Sequence, residues 1–186
     1  MSRFGVGHNG GPSMDGGVSF RRFAWQQARK GLLGERLPVE VIRRRVRRAE
    51  ELGLPYRSYA SIRAATGRDV LGFLFSTNAL RLIRQGDRLP VQYADKLARL
   101  KAARLAAVHA PLDPGAIAAL DEIDRAGDAP RAFADWSVQR AGLKEILGDK
   151  LPRDAVVLIS EAAFEAEWCA SGKLAGAIPA PVFFGD

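Results

Sequence analysis

Between Pro38 and Gly53 the apolar residues Val39, Ile42, Val46, Ala49 and Leu52 follow one another at steps of 3, 4, 3 and 3. That is the repeat of one face of an α-helix, and similar spacing recurs along most of the chain. Phe20, Ala24, Ala28 and Leu32 predict a first helix over about 18–33. Pro38 opens the second at the position where a missing N–H does no harm, and Gly53 ends it. Ser58 and Gly67 bracket a short helix, Asp69 caps a longer apolar one through Arg84, and Pro90 opens another to about His109. Asp113 and Pro114 start a helix that Gly127 ends, a further one spans about 132–147, and Ser160 caps a last one to about Ser171. Only "DAVVLIS" leaves open a short buried strand or the approach to a helix, because its length does not arbitrate. The proline-broken tail "GAIPAPVFFGD" reads as an extended strap. The expected fold is all-α: a compact multi-helix domain with at most one short strand near 155–159.

Charge divides the chain more sharply than hydrophobicity does. The net charge is +7 over 186 residues. Residues 1–110 carry 21 Lys+Arg against 8 Asp+Glu, and residues 111–186 carry 7 against 13. Of the 21 basic residues, 18 are arginine, whose planar fork suits phosphate better than a lysine point charge does. The domain reading is therefore a disordered glycine-rich tail over 1–17, a basic helical part over 18–110 and an acidic helical part over 111–186. The two charged parts pack together as one domain. Either an external anion or mutual docking of the two parts accounts for such a split.

"GVGHNGGPSMDGG" is the first candidate for chemistry. It lacks the Gly-Lys-Ser/Thr ending of a phosphate loop, and Gly5, Gly7 and Gly10 follow no strand. It reads as a floppy lead-in, and no cofactor is expected. "SYASIRAATGRDVLGFLFSTNALR" resembles a helix-turn-helix over 58–84, with Gly67 at the turn and Arg68, Asp69, Asn78 and Arg81 as polar groups for a groove. Against it, Val70, Leu71, Phe73, Leu74, Phe75, Leu80, Leu82 and Ile83 cover more than one face, which favours a buried core helix. Phosphate contact through arginine helices survives either reading, because it needs charge and no reading head. The candidate nucleic-acid-binding residues are Arg43, Arg44, Arg45, Arg47, Arg48, Arg68, Arg81, Arg99, Lys101 and Arg104, supported by the basic stretch "FRRFAWQQARK".

Catalytic and metal sets are sparse. His8 lies in the glycine tail, and His109 is expected at a helix C-terminus, where the macrodipole favours an imidazolium. No Cys/His cluster has zinc spacing, "DEIDRAGD" lacks the alternating ligands of a calcium loop, and Glu161 with Glu165 reads as a solvated acidic face. No metal site is expected. The single Cys169 beside Trp168 reads as a packed thiol and points to a reducing, cytoplasmic setting. No apolar run approaches the roughly 20 residues of a membrane span. The leading expectation is a nucleic-acid-binding helical protein, a small regulator that contacts phosphates through its arginine-rich helices. The alternative is an interaction adaptor or oligomeric component that meets a protein partner, or itself, through acidic 111–186. An enzyme ranks third.

Overall fold

The computed structural model describes residues 37–185. The glycine-rich segment 1–17, the helix expected over 18–33 and the basic stretch within it lie outside the described residues. The chain divides into two units, Met1–Ile42 and Arg43–Asp186. In the first, the Val41 and Ile42 N–H groups both donate to the Pro38 carbonyl, closing an opening helical turn. Apart from that opening turn, the elements below belong to the second unit.

The described residues form α1 (Val39–Glu51), α2 (Tyr56–Thr66), β1 (Gly72–Ser76), α3 (Val91–Arg99), β2 (Ala103–Val108) and α4 (Pro114–Ala118). They continue with β3 (Arg125–Asp128), α5 (Trp136–Leu147), β4 (Val156–Ser160), α6 (Glu167–Gly172), β5 (Gly176–Pro179) and α7 (Ala180–Phe184). Tight helical turns at Arg153–Ala155 and Ala163–Ala166 flank β4. All five strands are parallel, in the order β3-β2-β1-β4-β5. The fold is α/β, and the all-α expectation is corrected.

The sheet is covered on both sides. Phe73, Phe75, Ala106, Val108, Val157, Ile159 and Ile178 face one core, built with Ala49 of α1, Leu52 just after it, Tyr59 of α2, Leu97 of α3, Ile117 of α4 and Phe183 of α7. Leu74, Leu105, Ala107, Val156 and Leu158 face the other, with Leu143, Ile146 and Leu147 of α5 and Trp168 of α6. Helices after β1 and β2 thus take one face and helices after β3 and β4 the other, which is doubly wound architecture. Burying each large side chain of β1 stabilises by about 1.5–3 kcal/mol relative to leaving it in water. The sheet also crosses the charge boundary, with β1 and β2 drawn from the basic part and β3, β4 and β5 from the acidic one.

These two cores explain the corrections. A strand buried on both faces shows no polar alternation, so "GFLFS" and "VVLIS" read as continuous apolar runs. The helix-turn-helix-like segment accordingly keeps its first helix, α2, whose Gly67 cap has φ 71°, but continues as β1 and a turn. The helix expected to His109 stops at Arg99, where Leu100 turns to extended backbone (φ −68°, ψ 128°) and the alanine-rich β2 follows. Tertiary pairing on two sides overrides the helix preference of Ala and Leu there. The helix begun at Asp113 ends at Ala118, and Gly127 lies inside β3. Ser160 closes β4 instead of capping a helix, and the tail forms β5 and α7. The border strands β3 and β5 have four residues each, against five or six for the inner three.

Candidate functional site

In a doubly wound sheet the connections leave in opposite directions where the strand order reverses, and a crevice opens outside the carboxyl ends of those strands. Here that point lies between β1 and β4, which end at Ser76 and Ser160. β2 ends beside them at Val108, so the first residues beyond the three strands are Thr77, His109 and Glu161. Glu165 reaches back to them from the tight turn after β4.

Its side chain is wholly buried and accepts five hydrogen bonds. Ser76 Oγ–H donates to Oε2 at 2.8 Å, as do the Glu161 N–H at 2.8 Å and the Ala162 N–H at 3.1 Å. Asn78 Nδ2–H donates to Oε1 at 2.8 Å, and His109 Nε2 lies 2.8 Å from the same oxygen. Burial alone pushes the Glu165 carboxyl up, but the bonds from His109, Glu161, Ser76 and Asn78 outweigh it and hold the group below the usual glutamate range. An ionised carboxylate only accepts, so the shared hydrogen belongs to His109 Nε2, and a neutral ring keeps its lone pair on Nδ1.

The imidazole is fixed from three sides. Trp168 stacks on it at 5.4 Å between centroids and 29° between planes, and Phe164 meets it edge-on at 5.7 Å. The His109 N–H donates to Thr77 Oγ1 at 3.1 Å, tying the β2 end to the β1 end. Arg81 reaches across to Glu161, with Nη1 3.7 Å from Oε1. A cleft of about 550 Å³ lies on the same end of the sheet, lined by Leu82, Arg84, Gln85, Leu112, Ile117 and Leu120 among others. The Leu112 N–H bonds to the His109 carbonyl, which joins cleft and histidine through one short loop.

Sequence reasoning did not find this set. It placed His109 at a helix end and Glu165 on a solvated face, whereas His109 follows a strand and Glu165 has no exposed surface. The signal was present in Ser76, Asn78, His109, Glu161 and Glu165 each standing just beyond a short apolar run. It becomes readable only once those runs are taken as strands.

The ten expected phosphate-binding residues sit elsewhere, with one exception. Arg48 is a tie inside the unit: Nε bonds to Asp69 at 3.0 Å, Nη2 to the Val70 carbonyl at 2.9 Å, and Nη1 to Glu51 and the Lys101 carbonyl. Lys101 bonds to Glu51 at 2.9 Å, and these two cations hold that carboxyl below its usual range. Arg68 pairs with Asp154 at 2.7 Å. Arg104 forks onto Asp124 at 2.6 and 3.3 Å; burial pushes that carboxyl up, but the fork and the Arg104 N–H outweigh it and hold the group below its usual range. All four gather where β1, β2, β3 and β4 begin. Arg43, Arg44 and Arg47 are exposed on α1, with Arg45 half-buried, and Arg99 is exposed at the end of α3. Among the described residues Arg44, Arg45, Arg47 and Arg99 form no salt bridge. Only Arg81 belongs to the carboxyl-end crevice.

Among the described residues no three His, Cys, Asp or Glu side chains are placed to hold a metal ion, and no helix is long and apolar enough to cross a membrane. Compared with family models, curated proteins and solved structures, the chain matches none of them.

Proposed function

We propose that this protein binds a small molecule in the crevice at the carboxyl ends of β1, β2 and β4 and performs acid–base chemistry on it. His109 would exchange the proton, and Glu165 would hold the ring in the tautomer that leaves Nδ1 available. The observation that carries this reading is the 2.8 Å contact of His109 with a fully buried carboxylate at the switch point of the sheet. Enclosing an ionised carboxylate is unfavourable unless it is fully hydrogen-bonded, and this fold supplies five partners at the place where doubly wound sheets take ligands. A positioned histidine of this kind accelerates proton transfer by about 10²–10⁴-fold. The cleft of about 550 Å³ beside it falls within the range that holds small ligands.

The test is a screen of a small-metabolite library by NMR. Binders should move the His109 ring signals and the amides of 76–81 and 161–165, and His109→Gln should abolish any turnover found with a binder. A library that perturbs only α1, or nothing, would remove this reading.

A second reading keeps nucleic acid as the partner, through the opposite end of the molecule. It rests on exposed Arg44, Arg47 and Arg99, whose guanidinium groups have no carboxylate partner among the described residues. Each neutralised phosphate contributes about −0.9 to the slope of log K against log salt. Arg44→Glu with Arg47→Glu should therefore flatten that slope by about 2 units while leaving the fold intact. Absence of any duplex or single-strand binding at low salt would end the second reading and leave the first untouched. A reducing, cytoplasmic setting is part of the proposal, resting on the single Cys169.

A further inference from the structure

Arg81 closes the turn that follows β1. The Arg81 N–H bonds to the Asn78 carbonyl at 3.0 Å, and the Leu82 N–H bonds to the Thr77 carbonyl at 2.9 Å. That paired closure places Arg81 in the left-handed region, with φ 59°. Glycine is the usual occupant of such a position because it has no Cβ to crowd the following carbonyl. This chain uses it at Gly53, Gly67 and Gly148, where φ is 61°, 71° and 65°. The other non-glycine exceptions among the described residues are Phe133 (φ 60°), in the loop between β3 and α5, and Lys173 (φ 54°), after α6 and toward the amino end of β5. Non-glycine residues held in this region cluster at ligand clamps and active sites, where the side chain repays the backbone cost.

The Arg81 side chain leads to Glu161, across the gap between the β1 and β4 ends. The contact is long at 3.7 Å, and the two side chains are 49% and 32% exposed, so solvent weakens it and an incoming anion can replace it. Glu161 is tied to the His109–Glu165 pair through its own N–H, which donates to Glu165. Asn78, three residues earlier, places its amide on Glu165. Immediately after Arg81, Leu82 begins the lining of the cleft, which continues with Leu112, Ile117 and Leu120.

We infer that Arg81 is the substrate-recognition residue of the crevice, exchanging Glu161 for the phosphate group of a phosphate monoester whose apolar body lies against Leu82, Leu112 and Ile117. This rests on the ligand-site reading above and adds the substrate class to it. Phosphate is favoured over carboxylate because the ligand must displace a carboxylate already held by the chain. A dianion attracts the guanidinium about twice as strongly as a single charge at equal distance. The planar fork of arginine also presents paired donors to phosphate oxygens.

The experiment titrates the full chain with phenyl phosphate, inorganic phosphate and benzoate at constant ionic strength, following backbone amides by NMR and stability by thermal melting. Phenyl phosphate should saturate with shifts at Asn78, Arg81 and Glu161, bind more tightly than benzoate, and lose at least tenfold in affinity in Arg81→Gln. Arg81→Gly should lose the same affinity without a lower melting temperature, because the strained backbone is relieved. A melting temperature lower by more than about 5 °C in Arg81→Gly would make Arg81 a structural residue and overturn the inference. So would tighter benzoate binding, equal affinity in Arg81→Gln, or shifts confined to α1. Phosphate binding through Arg81 with an unmoved His109 ring would support the inference and sink the acid–base reading. Library binders that move His109 but never carry an anionic group would do the reverse.

Discussion

Glu165→Ala is expected to lower stability by about 3–5 kcal/mol, because it strips the acceptor from five donors that have no other acceptor among the described residues. Ser76 Oγ–H, Asn78 Nδ2–H, His109 Nε2–H and the N–H groups of Glu161 and Ala162 all end on this one side chain. In a chain of this size that loss corresponds to a melting-temperature drop of roughly 10 °C. Glu165→Gln should recover about half of it. Its amide nitrogen can face His109, which answers by shifting its own hydrogen to Nδ1, while its oxygen keeps Ser76 and the two backbone donors. Denaturant unfolding with an unchanged m-value is the measurement. A loss below about 1 kcal/mol for the alanine variant would mean that water or a rearranged turn replaces the carboxylate.

The same residue sets a sign for pH. Its folded-state value lies below the ordinary 4.5, so between the two values the unfolded chain binds the extra proton. Its contribution is therefore complete above about pH 4.5 and is lost as pH falls through the depressed folded value. Glu165→Gln should flatten the acid side of the stability profile relative to the parent. A residual slope will remain, because Asp87 and Asp124 are also depressed.

Trp168→Ala is the other large effect, at about 3–5 kcal/mol. The indole is 1% exposed and fills the second core against Leu74, Leu105, Leu143 and Leu158. It also forms the wall on which His109 stacks, so its removal should broaden or split the His109 ring signals as well as lower stability. Trp168→Phe should restore most of the stability and part of the stacking. If the alanine variant lost stability but left the His109 ring signals unchanged, Glu165 and Phe164 alone would fix the imidazole.

How much of this was legible beforehand follows from how each segment is buried. α1 and α5 each meet water on one side and the sheet on the other, so the bounds of α1 and the end of α5 before Gly148 were readable, while α5 starts at Trp136 and not at about 132. β1 and β4 meet protein on both sides, so "GFLFS" and "VVLIS" carry no alternation, and only the second was left open as a strand. β2 is built of Ala, Arg, Leu and Val, and nothing in "ARLAAV" by itself opposes helix. The site was hidden for the same reason, since Ser76, His109 and Glu165 are 33 and 56 residues apart and meet only because three parallel strands end together. The arginine surplus was visible at once, but its structural share was not. Arg48, Arg68 and Arg104 answer carboxylates at positions 69, 154 and 124 that no local pattern connects to them.

The brevity of the border strands has a consequence for how the molecule behaves in a crowded solution. β3 is flanked by the charges of Arg125 and Asp128, and β5 ends at Pro179, which has no N–H to offer a neighbour. Each margin gives a foreign chain few rungs to grip, so runaway growth of the sheet from one molecule to the next is discouraged at both rims. The most amyloid-prone stretches, Phe73–Phe75 and Val156–Ile159, are kept in the middle, where their own kin already occupy every bonding position.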